Sequence, residues 1–248
     1  MIDAALAAAA GPAPAPARAV VAPHAGYRYS LSIAAAAYAR VVVPEVVVVL
    51  CPNHTVPPPI VSAWSGGAWR TPLGAVAVAD DLLARLRAAS PLVVADTRAH
   101  QDEHAVELHL PLLQRLRAGR PLRVAPVVVA APGADDLLAL GDALADVIGA
   151  DDVLVVASTD MNHHEAADVT RRKDERALRP LLALDPAGLL ATCAREQVSM
   201  CGVRPTTVAL QAARRLGATR AELVRHGHSG EVSGDDRRVV GYAGVVVT

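Results

Sequence analysis

Phenylalanine is absent from this 248-residue chain, and aromatic residues of all kinds make up only 2%. Aliphatic side chains must therefore fill the interior, and little material exists for a surface that stacks nucleic-acid bases. Cysteine is also scarce. Cys51, Cys193 and Cys201 are too few and too scattered for a disulfide framework, so a reducing compartment, the cytoplasm, is expected. Neither sign of charge is in excess: 24 basic against 25 acidic residues give a net charge of -1, which argues against a polyanionic partner. No run approaches the ~20 consecutive apolar residues that a membrane span needs. Neither nucleic acid nor membrane is an expected partner. The 1–17 opening is rich in Ala and Pro, lacks Lys or Arg ahead of its apolar part and carries Asp3. It reads as a flexible tether rather than an export signal.

What the chain has in quantity is Ala, Val and Leu. Hydrophobic residues reach 52%, enough for a sizeable core in one domain over 18–248. Short β-branched runs alternate with Ala/Leu-rich stretches, the pattern of βα units. The expected class is a single α/β domain with a largely parallel sheet flanked by helices. Strands are predicted at 18–22, 45–50, 123–129, 153–157, 221–226 and 239–247, with weaker edge candidates at 75–79 and 92–95. Several are unbroken Val runs, as strands covered on both faces require. Helices are predicted at 32–41, 81–89, 103–117, 134–148, 166–184 and 205–216, with Asp80 and Asp135 as N-caps. The 52–72 stretch holds five prolines and both tryptophans. It reads as a long loop, placed as a lid over the sheet edge.

Chemistry gathers at the strand ends. Pro23-His24-Ala25-Gly26-Tyr27 follows the first strand, with Gly26 expected to allow a sharp turn or a close approach to a ligand, and Cys51-Pro52-Asn53-His54 follows the second. Ligands collect at the carboxyl ends of parallel strands, and two imidazoles delivered there begin a metal site. Cys201, just ahead of a helix opening near Pro205, is the candidate third donor, since unpaired helix amides favour a thiolate. The plainer reading of Cys201, and of Cys51, is a small buried apolar residue. Ser158-Thr159-Asp160 and His163 follow another Val-rich strand, where Asp160 is expected to orient His163 for proton transfer. In Glu103-His104-Ala105-Val106-Glu107-Leu108-His109, the two glutamates share one helix face at i,i+4. His104 and His109 would point about 140° apart on that helix and do not serve one metal. The glutamates read instead as a carboxylate wall of the cleft or a support behind a histidine.

Taken in order, these strings, with Cys201-Gly202 and the tail from Ser229 to Gly244, resemble the Memo-like family, whose prokaryotic members are called AmmeMemoRadiSam system protein B. The resemblance covers the chain from about Arg18 onward. It implies a fold similar to class III extradiol dioxygenases, with His24, His54 and Cys201 as metal ligands. Asp160 and His163 would line the same pocket. His163, Asp160 and Glu107 are the candidate catalytic groups, and Tyr27, Asn53, Glu103 and His104 the candidate substrate contacts. A thiolate ligand favours Fe(II) first, with Cu or Zn as alternatives, over Mg or Ca. The expected function is a non-haem metal protein with a redox or oxygen-handling role. A metal-dependent hydrolase, with His163 or Glu107 as base, is one alternative; a non-catalytic peptide-binding or scaffolding protein is another. The ligand would be a small molecule or peptide, and the family name implies a link to a radical SAM protein and an AMMECR1-type protein. The sequence departs from the family in lacking its N-terminal aromatic-Tyr-Pro segment and in having Cys51 where Gly is usual.

Overall fold

The Val runs assemble side by side. In the computed structural model, which describes residues 1–9, 11–55, 61–130 and 132–248, four parallel strands form the centre of the sheet. These are β1 (Ala19–Ala22), β2 (Val46–Cys51), β7 (Arg123–Val129) and β8 (Val153–Ser158), in spatial order β1-β8-β2-β7. All their residues except Val46 and Arg123 are buried. Alternate residues feed different cores: Val47, Val49 and Cys51 pack on one face, Val48 and Leu50 on the other. Such strands read as unbroken hydrophobic runs because neither face meets water.

Antiparallel strands extend the quartet. β11 (Val239–Val247) pairs with β1, and β10 (Ala221–His228) follows it. On the other side, β3 (Val61–Ala63) runs antiparallel to β7, and β6 (Val93–Ala95) lies parallel to β3. A hairpin of β4 (Ala68–Thr71) and β5 (Gly74–Val78) joins through β5 to β7, while β9 (His163–Glu165) pairs with β11. One face is covered by α1 (Ile2–Ala8), α2 (Tyr27–Tyr38), α4 (Arg98–Gln101) and α5 (Leu110–Arg117). The other carries α3 (Asp80–Ala89), α6 (Ala134–Ile148), α7 (Ala167–Leu182), α8 (Pro186–Arg195) and α9 (Val203–Arg215). A short α10 (Gly230–Ser233) caps the tail. Leu83, Leu144 and Leu210, fully buried in the second core, are positions where truncation to Ala typically costs ~2–5 kcal/mol.

Several expectations need correction. The helix predicted at 103–117 begins only at Leu110, and 105–109 is a series of turns. Pro111 stands in its first turn, where the missing amide costs nothing; deeper in a helix the ring would strike the carbonyl four residues back, at Glu107. The shared helix face of Glu103 and Glu107 therefore does not exist. The 52–72 stretch is not one irregular lid, since it contains β3 and β4; residues 56–60 lie outside the described residues. Asp80 and Asp135 are not N-caps. Ala79 and Gly133 take those positions, and both aspartates sit in the first turn, where their charge still suits the helix dipole. The first connecting helix starts at Tyr27 rather than 32. α8 was not foreseen: Asp185 caps it through the Gly188 amide and Pro186 opens it, so residues that resemble a turn signal are in fact a helix start. In the 1–17 opening, Asp3 pairs with Arg115, and the Ala15 amide donates to the Arg40 carbonyl.

Candidate metal centre

Strand order places the site. β8 lies between β1 and β2, so the segments leaving their carboxyl ends bring His24 and His54 to either side of the end of β8. The imidazole centroids of His24 and His54 are 5.2 Å apart and nearly perpendicular, at 75°. Cys201 arrives from the far side on the turn before α9, its Sγ 3.4 Å from His24 Nε2. One donor atom from each of His24, His54 and Cys201 falls within 4.8 Å of the others. The expected triad is therefore brought together.

Gly202 is what lets Cys201 come so close. A Cβ there would lie 2.4 Å from the Ser158 carbonyl oxygen and 2.4 Å from Thr159 Cβ, while the Gly202 amide donates to Thr159 Oγ1 at 2.9 Å. Gly26, by contrast, needs no glycine. It caps α2 with φ -51° and ψ 139°, and nothing lies within 4 Å of an added Cβ, so the sharp turn expected of it is absent.

Each imidazole is held from behind. His54 Nδ1 lies 3.0 Å from both carboxylate oxygens of Glu103, which also accept the His54 and Ala105 amides at 2.7 and 2.9 Å. Burial pushes the Glu103 carboxyl up, but these hydrogen bonds outweigh it and bring the group below its usual range; the same bond raises His54. His24 Nδ1 meets the Ser158 hydroxyl at 2.7 Å. Neither Ser158 nor His109, which touches the same hydroxyl at 2.7 Å, received a role from the sequence alone. Ser158 is visible only once β8 is known to sit between the two histidine-bearing strands.

The remaining candidates divide. His104 joins the cluster, stacked on His54 with centroids 5.1 Å apart and edge-on to His24 at 5.5 Å. Asp160 does not orient His163. Its Oδ1 accepts the His24 and Ala25 amides at 3.0 and 3.2 Å, fixing the backbone that carries a ligand. The His163 ring is set by the Ser199 carbonyl, 2.8 Å from Nδ1, and by a hydrogen bond to the Met161 backbone. Tyr27 spends its hydroxyl on the Leu108 carbonyl at 2.7 Å. Asn53 Oδ1 accepts the Thr55 amide, and its Nδ2 is buried with no partner among the described residues. Glu107 is exposed and lines a separate hollow of about 290 Å³ with Trp64, Trp69 and His100. Cys51 is fully buried among aliphatic neighbours, in keeping with its plainer reading.

Burial dominates the electrostatics. It raises the Cys201 thiol to about 12, with Asp160 adding to the effect, so the helix-start amides do not make a thiolate here as the sequence had suggested. Burial lowers His24 well below its ordinary value and lifts Asp160 to about 6. A neutral thiol and a neutral imidazole, buried together with donor atoms converging, are what a transition-metal cation would convert into ligands. Two nitrogens and one sulfur suit Fe, Cu or Zn, and the residues present fit such an ion.

The family profile described as Memo-like protein matches residues 1–246. MEMO1 family protein MK0963 of Methanopyrus kandleri is 40% identical over 232 residues, covering 92% of this chain and 82% of its own. MEMO1 family protein MTH_45 of Methanothermobacter thermautotrophicus is 37% identical over 229 residues, covering 90% and 82%. A crystal structure of the uncharacterized protein JW3007 from Escherichia coli K12 aligns with a TM-score of 0.49 at 14% identity, over 81% of this chain and 86% of that one. A profile match across almost the whole length, and relatives at about 40% identity, establish kinship: this chain belongs to the Memo-like family.

Proposed function

We propose that the protein is a non-haem transition-metal protein whose His24, His54 and Cys201 hold one ion, with a redox or oxygen-handling role. The observation that carries this reading is the convergence of those three donors within 4.8 Å at the carboxyl edge of the parallel strands. Three protein ligands leave positions free for a small ligand, the mark of a reactive rather than a structural site. Fe(II) is the first choice, because a soft thiolate beside two imidazoles suits an ion that changes oxidation state. Such an ion, when bound, supplies a site where an oxidant or substrate oxygen is held and polarised.

The chain's own residues do the rest. Glu103 and Ser158 orient the two imidazoles, and Asp160 fixes the His24 backbone. His163, lowered from its ordinary pKa chiefly by burial, is the group to take or give a proton. The same imidazole supports a second reading, hydrolysis, should the ion be Zn(II). The proposed setting is a reducing, cytoplasmic one, because three scattered cysteines are too few for a disulfide framework.

The test is anaerobic purification, elemental analysis, and reconstitution with Fe(II), Cu(I) or Zn(II). One equivalent of iron or copper bound, with oxygen consumed, supports the redox reading; zinc alone with hydrolytic turnover favours the second. If His24→Ala, His54→Ala and Cys201→Ala proteins all keep stoichiometric metal, the centre is elsewhere.

A further inference from the structure

Ser158, the last residue of β8, has no exposed surface. Three polar atoms crowd its hydroxyl: His24 Nδ1 at 2.7 Å, His109 Nε2 at 2.7 Å and the Ala105 carbonyl oxygen at 2.8 Å. Behind them, His109 Nδ1 lies 2.9 Å from the Tyr38 hydroxyl. Tyr38 and His109 are both fully buried.

One arrangement of protons satisfies every contact. A carbonyl oxygen only accepts, so the single hydroxyl proton of Ser158 goes to Ala105. Both imidazoles must then donate to Ser158 Oγ, His24 from Nδ1 and His109 from Nε2. Tyr38 closes the chain by donating to His109 Nδ1. The two histidines thus carry opposite tautomers, each dictated by one serine.

We propose that Tyr38, His109 and Ser158 form a positioning chain that fixes His24 with its proton on Nδ1 and its lone pair on Nε2, presetting the metal-binding nitrogen before an ion arrives. Nε2 is the atom that faces Cys201 Sγ at 3.4 Å. Glu103 does the equivalent for His54 with a charge, whereas the group behind His24 is a neutral hydroxyl. The two imidazole ligands are therefore supported unequally, and the group bonded to a ligand's far ring nitrogen sets its tautomer and basicity. The inference rests on the metal-centre reading for its effect on affinity, though the tautomers themselves do not depend on metal.

The test uses the full chain, metal-free and labelled with ¹⁵N-histidine, and long-range ¹H–¹⁵N correlation to locate each ring proton. The unaltered protein should show His24 protonated at Nδ1 and His109 at Nε2. In Ser158→Ala the His24 proton should shift wholly or partly to Nε2, and Zn(II) affinity should fall about 10–100-fold. Ser158→Thr, which keeps a hydroxyl, should restore the Nδ1 proton and much of the affinity. Tyr38→Phe should disturb His109 while leaving His24 protonated at Nδ1, because its acceptor remains. His24 protonated at Nε2 in the unaltered protein overturns the proposal, whether or not any variant folds. So does a Ser158→Ala protein with unchanged tautomer and affinity. If the unaltered protein has the assigned tautomers yet binds no Zn(II), Fe(II) or Cu(I), the metal-centre reading fails while the tautomer assignment stands.

Discussion

Glu103 grips His54 at two points, accepting its backbone amide at 2.7 Å and lying 3.0 Å from its ring Nδ1. Backbone and side chain of a candidate ligand are thus fixed by one buried carboxylate.

Glu103→Gln keeps the shape but loses the charge behind the imidazole. Metal affinity should drop about 10–100-fold, with little change in melting temperature of the metal-free protein. Glu103→Ala also leaves the buried Ala105 amide without its acceptor, at ~1–3 kcal/mol, while the exposed His54 amide can turn to water. Metal titration and denaturant melts, run side by side, separate the two effects.

Binding of a divalent ion should release at least one proton at neutral pH: one from the Cys201 thiol, and a further fraction from His54, which Glu103 raises above its ordinary value. The Cys201 thiol, raised to about 12 by burial and by Asp160, is protonated in the metal-free protein and must ionise to ligate. Calorimetry in buffers of different ionisation enthalpy counts the protons. Zero release across pH 6–9 would mean that sulfur is not a ligand.

Asp160 carries a stability cost with a defined pH window. Burial lifts its folded pKa to about 6 from the ordinary 3.8, so the fold binds this proton more tightly than the unfolded chain does. The cost is absent below about pH 4, grows between 4 and 6, and is full above. At ~1.4 kcal/mol per pKa unit it reaches about 3 kcal/mol. Asp160→Asn should therefore stabilise the metal-free protein at pH 8 and be close to neutral at pH 4, as read from denaturant midpoints at both values.

His163→Ala should leave metal content near that of the unaltered protein. Oxygen consumption by the iron-loaded form should fall, by ~10²-fold or more if the ring transfers a proton. Loss of metal in parallel would make His163 a ligand instead.

Gly202→Ala should cost ~1–3 kcal/mol and weaken metal binding, because the new methyl must push Cys201 away from Ser158 and Thr159. Thermal melts and metal titration check both.

The legible parts of the sequence were those with one dominant physical cause. Val246 and its neighbours in β11, and the stretch from Ala134 to Ile148, read correctly because burial fixes their periodicity. His24, His54 and Cys201 were recoverable because strand ends and a Cys-Gly turn mark them locally, and the family resemblance ordered them. Glu103 does not lie on the predicted 103–117 helix because Pro111 stands in the first turn of α5, and a helix begun at Glu103 would have put it in the interior. Ser158 and His109 stayed without a role because their meaning depends on which strands are neighbours. Pairing across 134 or 49 residues leaves no local signature.

The insertion of β8 between β1 and β2 also has a consequence for how the protein folds. Both imidazoles are synthesised within the first quarter of the chain, yet the strand that separates them arrives about a hundred residues later. Adjacent strands lie ~4.8 Å apart, so without β8 the two histidine-bearing strands would either close up or face an unpaired gap. An ion cannot nucleate this fold from its early residues, as it does in a zinc finger. Loading must follow the slow, non-local closure of the sheet. A nascent chain halted before β8 would hold two ligands and no pocket.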